Sequence, residues 1–299
     1  MTSAQLQAFV TVAQLNSFTS AAMMLGITQS AVSHAIRTLE EELGIALFTR
    51  GKTEVVLTEA GQEILGKAHS ILGLHESIRQ TADEAKNLQQ GVLKIGSFGP
   101  SFSARLLPVI LSEYNKRYPN IRVYVEEGED KQVKDWIAHR QVDLGCIILP
   151  ENDLDHIFLA RDKLAVLLSD NHPLTNKDRI TVRDVCEHPF ILTEGSTGRL
   201  ALDLFRRHKC QPDIHYNNIQ IMSMLSLVEG NAGISITAEL SIPDHQQQKS
   251  ASYVTRPLHP DVNREIALAM HNREHLSPAA AAFVKLAAGL ERAGKFRIP

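Results

Sequence analysis

Gln29, Ser30, Ser33, His34 and Arg37 are the residues of this 299-residue chain whose types and spacing first suggest a chemistry. They share one side of a segment in which Val32, Ile36, Leu39 and Leu43 recur at steps of four, three and four, the period of a helix with one buried face. Hydrogen-bonding side chains on the outer face of a helix N-terminus can read base edges in a DNA major groove. The same pattern also suits an ordinary helical hairpin. A second group consists of hydroxyls at two loop-to-helix junctions, 97–103 and 193–199. Backbone N–H groups at a helix start, with hydroxyls beside them, offer a place for a carboxylate unless the hydroxyls only cap their own helices. Candidate ligand contacts are therefore Ser97, Phe98, Ser101 and Ser103 from the first junction and Thr193, Ser196 and Thr197 from the second, with Gly128 and Ile221 at two further strand-to-helix turns. Glu126, Glu127, Glu129 and Asp130 lie near the same rim, either solvated or selecting a ligand with an amino group.

Catalytic and metal chemistry find no residues to stand on. Thirteen histidines occur without HExxH or similar spacing, so neither a metal site nor a cofactor is expected. Cys146 lies in an apolar strand and reads as core. Cys186 and Cys210 fall in one later region, where inert thiols are preferred to a redox sensor. No nucleophile elbow or phosphate loop appears, so no catalytic residue is assigned.

The base-reading residues need a particular scaffold. Ser17 can cap a short helix carrying Ala21, Ala22 and Leu25, Gly26 can end it, and Thr28 can cap the next. Small residues on the first helix let the second cross it closely, leaving Ser17, Thr19, Thr28, Gln29, Ser30, Ser33 and His34 toward DNA. A preceding helix carries Leu6, Phe9, Val10 and Ala13. After the pair comes a wing, with strands at 46–49 and 55–57 around a turn at 50–53. Arg37, Arg50 and Lys52 would meet phosphates or the minor groove. Residues 1–58 hold these three cations against four anions (Glu40, Glu41, Glu42 and Glu54), where a DNA-binding domain ordinarily has a basic surplus. Placement of the cations on the recognition face and wing, with helix N-termini toward phosphates, must serve in its stead.

These residues resemble one family, the LysR-type transcriptional regulators. The matching pieces are Phe9 and Ala13, SFTSAA (17–22), Leu25, TQSAVSHAI (28–36), LEEELG (39–44), LFTR (47–50) and LTEAG (57–61). Later pieces follow in the family's order: RYPNIRVYV, QVDLGCII, NHPL, EGNAGISI and LSPAAAAFV. Ala238 departs from the proline the family usually carries after the GISI strand. The resemblance implies an α/β chain with an N-terminal winged helix-turn-helix, a long dimerising linker helix and a two-lobed effector domain of the periplasmic-binding-protein type (type 2). It also implies a DNA operator, a small-molecule effector and a second copy of the chain (homodimer or homotetramer) as partners, and admits RNA polymerase.

Between these ends the pattern supplies the connections. A proline-free helix is expected over 59–89, about 46 Å long at helical rise. Its Ile64, Ala68, Ile71, His75, Ile78, Ala82 and Ala85 alternate steps of four and three, a 3.5-residue seam for a partner helix. Beyond Gly91, strands alternate with helices: VLKIG, a second strand with Ile121, Val123 and Val125 on one face, a helix at 133–140 and the buried strand VDLGCII. That βαβαβ pattern implies a mostly parallel sheet with ligands beyond the carboxyl ends of its strands. The segment 164–169 opens a second lobe, and the chain returns near 264–270. The expected division is 1–58 for DNA, 59–90 for the linker, 91–161 with 266–299 for the first lobe, and 162–265 for the second.

Composition is consistent with this reading. At 43% hydrophobic and 22% charged the chain is globular and long enough for more than one core. Residues 1–15 lack a signal-peptide pattern, and no stretch approaches the roughly 20 apolar residues that span a bilayer. A cytoplasmic protein without a membrane partner is expected. An exported solute-binding protein and an enzyme on the same two-lobed fold are the rival readings. The winged N-terminus argues against both.

Overall fold

Thr2, Ser17 and Thr28 each stand just before a helix and accept a hydrogen bond from a backbone N–H of its first turn, from Gln5, Ser20 and Ala31 respectively. They start α1 (Ser3–Leu15), α2 (Phe18–Leu25) and α3 (Gln29–Leu43) in the computed structural model, which describes residues 1–49, 55–85, 90–242 and 252–296. Gly26 ends α2 at φ +67°, a left-handed conformation that a residue with a Cβ adopts only under strain. The three helices enclose Phe9, Ala21, Val32, Ile36 and Leu39, all nearly inaccessible to solvent. Phe48 closes this core edge-on against Phe9 and Phe18, at 5.6 and 5.8 Å between ring centroids.

The wing is slighter than expected. Among the described residues it is one antiparallel bridge, Phe48 with Leu57, flanked by bonds from Thr49 N–H to the Val56 carbonyl and from Thr58 N–H to the Leu47 carbonyl. So few residues on each side cannot extend a ladder. Its tip, with Arg50 and Lys52, lies outside the described residues, as does the expected helical stretch 86–89. Thr58 caps α4 (Glu59–Ala85) by accepting from Gly61 N–H, and its hydroxyl donates to Ala46 O, tying the helix to the wing. Ala68 is buried in the DNA-domain core, and Ser70 donates to the His139 carbonyl of the following domain.

That domain begins with β1 (Gly91–Ser97), a π-helical turn (Ser101–Leu106) running into α5 (Leu107–Arg117), β2 (Ile121–Glu127), α6 (Asp130–Ala138) and β3 (Leu144–Leu149). β1 pairs in parallel with both β2 and β3. Val125 does not share the burial of Ile121 and Val123: β2 is the edge strand, and its end is exposed. The next strand is longer than the sequence indicated. β4 runs Asp155–Ser169, because charged residues through Lys163 hide its first half from an apolar reading.

The second lobe follows with β5 (Ile180–Thr181), α7 (Val182–Cys186), β6 (Pro189–Thr193), α8 (Gly195–Arg207), β7 (Asp213–Ile219), α9 (Ile221–Glu229), β8 (Ser235–Ala238) and β9 (Tyr253–His259). The chain returns as β10 (Asn263–Met270) and ends in α10 (Pro278–Arg292), capped by Ser277. β10 lies antiparallel between β3 and β4. The first half of β4 pairs with β10, and its second half with β8 and β9. β4 and β10 are thus the two strands on which the chain passes between lobes. Each lobe has its own core: Tyr114 and Phe283 meet edge-on in the first, Phe190 and Phe205 in the second. Burying each such ring contributes roughly 1.5–3 kcal/mol to the lobe that holds it.

Candidate functional site

The N-terminal face comes first in the chain. Because Val32, Ile36 and Leu39 point into the core, Gln29, Ser30, His34 and Arg37 are exposed and Ser33 is half-buried. Gln29 Nε2 donates to Ser33 Oγ at 2.9 Å, and the Thr28 and Ser30 hydroxyls lie 3.0 Å apart. These pairs organise the start of α3 as a polar surface. Ser17 is half-buried as the α2 cap, and Thr19 is exposed two residues later. The acidic run at the far end of α3 is largely occupied within the domain. Glu40 Oε1 accepts from the Leu47 and Phe48 amides at 2.7 and 3.3 Å, and Glu42 pairs with the chain's own N-terminus. The missing basic surplus is therefore partly offset: Glu40 acts as a brace for the wing and lies about three helical turns along α3 from Gln29.

The two junctions meet through a residue the sequence reading did not single out. Arg264 on β10 is 6% exposed and faces Asp162 directly across the strand pair. Its Nε and Nη2 donate to Asp162 Oδ2 at 2.8 and 2.6 Å. Nη2 also donates to Ser101 Oγ from the first lobe, and Nη1 to Thr197 Oγ1 from the second at 3.4 Å. Ser101 Oγ lies 2.6 Å from Ser241 Oγ. Nearby, Arg199 on α8 pairs with Glu129 at the start of α6, 3.4 Å apart. Ser101, Thr197, Glu129 and Arg199 are thus brought to one interlobe cleft.

The helix starts around that cleft carry no side-chain caps. The π-helical turn, α6, α8 and α9 all begin without a side-chain hydrogen bond to their first turn. The capping alternative for these hydroxyls therefore does not apply, and first-turn N–H groups remain as anion donors. Thr193 is 8% exposed and its Oγ1 has no hydrogen-bond partner, an uncommon state for a buried hydroxyl. Gly198 is required where α8 starts, since a Cβ there would lie 2.0 Å from the Thr193 carbonyl oxygen. Ser196 and Ile221 stand half-buried at the starts of α8 and α9, and the ends of β6 and β7 are joined by Glu194 N–H to Ile219 O.

Other candidates are committed elsewhere. Ser97 is fully buried and bonded to Ser103 at 2.6 Å, Gly128 spends its N–H on the Ser97 carbonyl, and Phe98 belongs to the first lobe's core. They shape the junction. A groove of about 770 Å³ also touches Asp162, on a face lined by Phe158, Arg161, Lys163, Glu265 and Phe296. It includes none of the uncapped helix starts, so the anion-binding chemistry belongs to the cleft. Burial pushes the Cys146 thiol well up, and burial with a hydrogen bond from the Cys186 thiol to Cys210 pushes Cys186 up to about 12. Thiols held protonated are weak nucleophiles. Among the described residues no group of His, Cys, Asp and Glu could hold a metal ion, and no helix is long and apolar enough to cross a membrane.

Comparison with known proteins gives two family matches. Residues 3–62 match the bacterial regulatory helix-turn-helix proteins of the lysR family, and residues 86–290 match the LysR substrate binding domain. The chain is 33% identical over 293 residues to YvbU of Bacillus subtilis (strain 168), an uncharacterised HTH-type transcriptional regulator, covering 96% of this chain and 98% of that one. Its fold is similar to full-length OxyR from Pseudomonas aeruginosa, with a TM-score of 0.73 at 24% identity over 98% of both chains. It is also similar to full-length CbnR in complex with its target DNA, with a TM-score of 0.65 at 20% identity over 97% of this chain and 99% of that one.

Proposed function

The chain belongs to the LysR family of bacterial transcriptional regulators, and from that premise we propose how its own residues divide the work. The family binds DNA through the N-terminal domain and carries an effector-binding domain behind it; its members are regulators, not enzymes. In this chain Gln29, Ser33 and His34 read base edges, Ser17, Thr19, Thr28 and Ser30 hold the sugar-phosphate backbone, and Arg37, Arg50 and Lys52 supply the cations. The linker α4 pairs two copies, which further pair as dimers or act alone, and RNA polymerase is the downstream partner. The place of work is the cytoplasm, where the operator is. The division into 1–58, 59–90 and two lobes exchanging at β4 and β10 is the mechanical frame. No catalytic activity is assigned.

The effector is a small carboxylate bound between the lobes by Ser101, Thr193, Ser196 and Thr197. The observation that carries this is the convergence of uncapped helix starts from both lobes on one buried arginine. A zwitterion is the second reading, favoured by Asp130 Oδ1, a buried acceptor without a partner at the start of α6.

The DNA assignment is tested by selecting bound sequences from random duplexes with wild type, Gln29→Ala and Ser33→Ala. Each variant should lose about 1–3 kcal/mol on the selected operator while non-specific binding stays nearly intact. Unchanged affinity and sequence preference in both would remove α3 as the reader.

A further inference from the structure

The interlobe network contains a cation whose partners do not use it up. Asp162 is fully engaged: Oδ2 takes two donors from Arg264, and Oδ1 takes the Lys163 and Leu240 amides at 2.9 and 3.1 Å. Its negative charge is therefore shared between one guanidinium and two backbone N–H groups. Arg264 has the opposite imbalance. Its Nη1 edge holds one hydroxyl, Thr197 Oγ1, at 3.4 Å, and the second Nη1 hydrogen has no acceptor among the described residues. That edge meets Thr197 in the first turn of α8, whose N–H groups have no side-chain cap; the unpartnered Thr193 Oγ1 stands at the end of β6, two residues before that helix.

We propose that Arg264 is the specificity-determining residue of the effector site. Its Nη1 edge takes the ligand's carboxylate, and Asp162 fixes the guanidinium in place and moderates its charge. This rests on the reading of the cleft as a small-carboxylate site and adds the residue that enforces the charge. A planar guanidinium offers parallel donors that match a carboxylate, and such charge-assisted bonds exceed those to neutral groups. A neutral amide of the same shape would present N–H groups to an edge that also only donates. Because Arg264 sits on one crossing strand and Asp162 on the other, and its remaining donors reach Ser101 and Thr197 in different lobes, a ligand on Nη1 bears directly on the contact that sets the lobes' relative position.

The two halves of the ion pair should act in opposite directions. Isothermal titration of the full-length protein would use acetate, succinate, glutamate, benzoate and shikimate, each beside its carboxamide. Wild type should prefer at least one carboxylate over its amide by about ten- to a hundredfold. Arg264→Gln should abolish that preference, and Arg264→Lys should keep it with weaker binding. Asp162→Asn removes the moderating charge and should tighten the same carboxylate severalfold. A merely structural pair would instead lower affinity in both single variants, and that result overturns the proposal. Asp162→Asn leaves a buried cation unpaired and risks unfolding, so the double variant Asp162→Asn/Arg264→Gln, neutral on both sides, serves as the control. Folded by thermal denaturation, it should bind carboxylate and amide equally. A preference retained in Arg264→Gln or in the double variant would overturn the role of Arg264 alone. Failure of every carboxylate to bind wild type would remove it together with the carboxylate reading of the cleft.

Discussion

At the scale of single residues, the interlobe contact is one buried ion pair, Arg264 with Asp162, reached by a hydroxyl from each lobe. Ser101 and Thr197 follow strand ends in the sequence, so a junction rich in Ser and Gly marks them. Arg264 and Asp162 are 102 residues apart, each in a run that reads as an ordinary strand, and only antiparallel register sets them face to face. Glu40 was similarly ambiguous, since nothing local says that its carboxylate turns back to two wing amides. His69 gives a residue-scale prediction. It is 7% exposed on α4, its Nδ1 rests on the Leu65 carbonyl and its Nε2 has no partner. Burial, aided by the nearby positive charges of Lys94 and His139, lowers its pKa from 6.5 to about 4. The folded state therefore keeps His69 neutral, while the unfolded chain takes up a proton as pH falls through 6.5. Stability held above pH 6.5 is lost progressively toward pH 4, by about 2 kcal/mol between pH 7 and pH 5. Urea unfolding at both pH values should show His69→Leu losing about that much less than wild type, with His172 and His271, also lowered by burial, accounting for part of the remainder. An equal loss in both proteins would exclude His69 as the cause.

At the scale of elements, the strongly periodic ones were legible. α3 and α10 announce themselves by apolar spacing and caps, α9 by apolar spacing alone. β7 does not, because its sequence DIHYNNI is mostly exposed on the edge of a two-stranded sheet, so no apolar alternation marks it. The linker helix was legible in part. Its 3.5-residue seam reads as one continuous stripe, yet Ala68 is buried against the DNA-binding domain of its own chain. Further along, Ile71, Leu74 and Ile78 are 41%, 42% and 69% exposed, at a spacing of three and four. The seam thus serves its own domain first, and the contact proposed for a second copy falls on Ile71 and Ile78 beyond it. Ile71→Glu/Ile78→Glu should leave the monomer's cores intact, because both side chains are exposed, and should separate the copies by placing like charges across the helix pair. Sedimentation equilibrium at micromolar concentration should then find the variant monomeric and wild type dimeric. Operator affinity should fall with it, since two linked half-sites gain through effective concentration. A variant that sediments with wild type would place the dimer contact on another element.

At the scale of the whole molecule, the order of parts was legible because each part carries its own motif. The mechanical relation between them was not, since it depends on which half of β4 pairs with which strands. Two lobes joined by β4 and β10, with Arg264 and Asp162 at the crossing, can change relative angle only if a ligand binds one angle better than another. The first lobe is packed on α4 through Ser70 and His139, so such a change has a path to the spacing of two DNA-binding domains. Coupling of this kind is reciprocal: the factor by which ligand changes operator affinity must equal the factor by which operator changes ligand affinity. The direct measurement is therefore a four-sided cycle on full-length protein. Operator affinity is taken by fluorescence anisotropy with and without saturating carboxylate, and carboxylate affinity by calorimetry with and without saturating operator. Two equal factors, each about five- to a hundredfold, are expected. Carboxylate binding that leaves operator affinity unchanged, in a protein that binds both, would contradict the account.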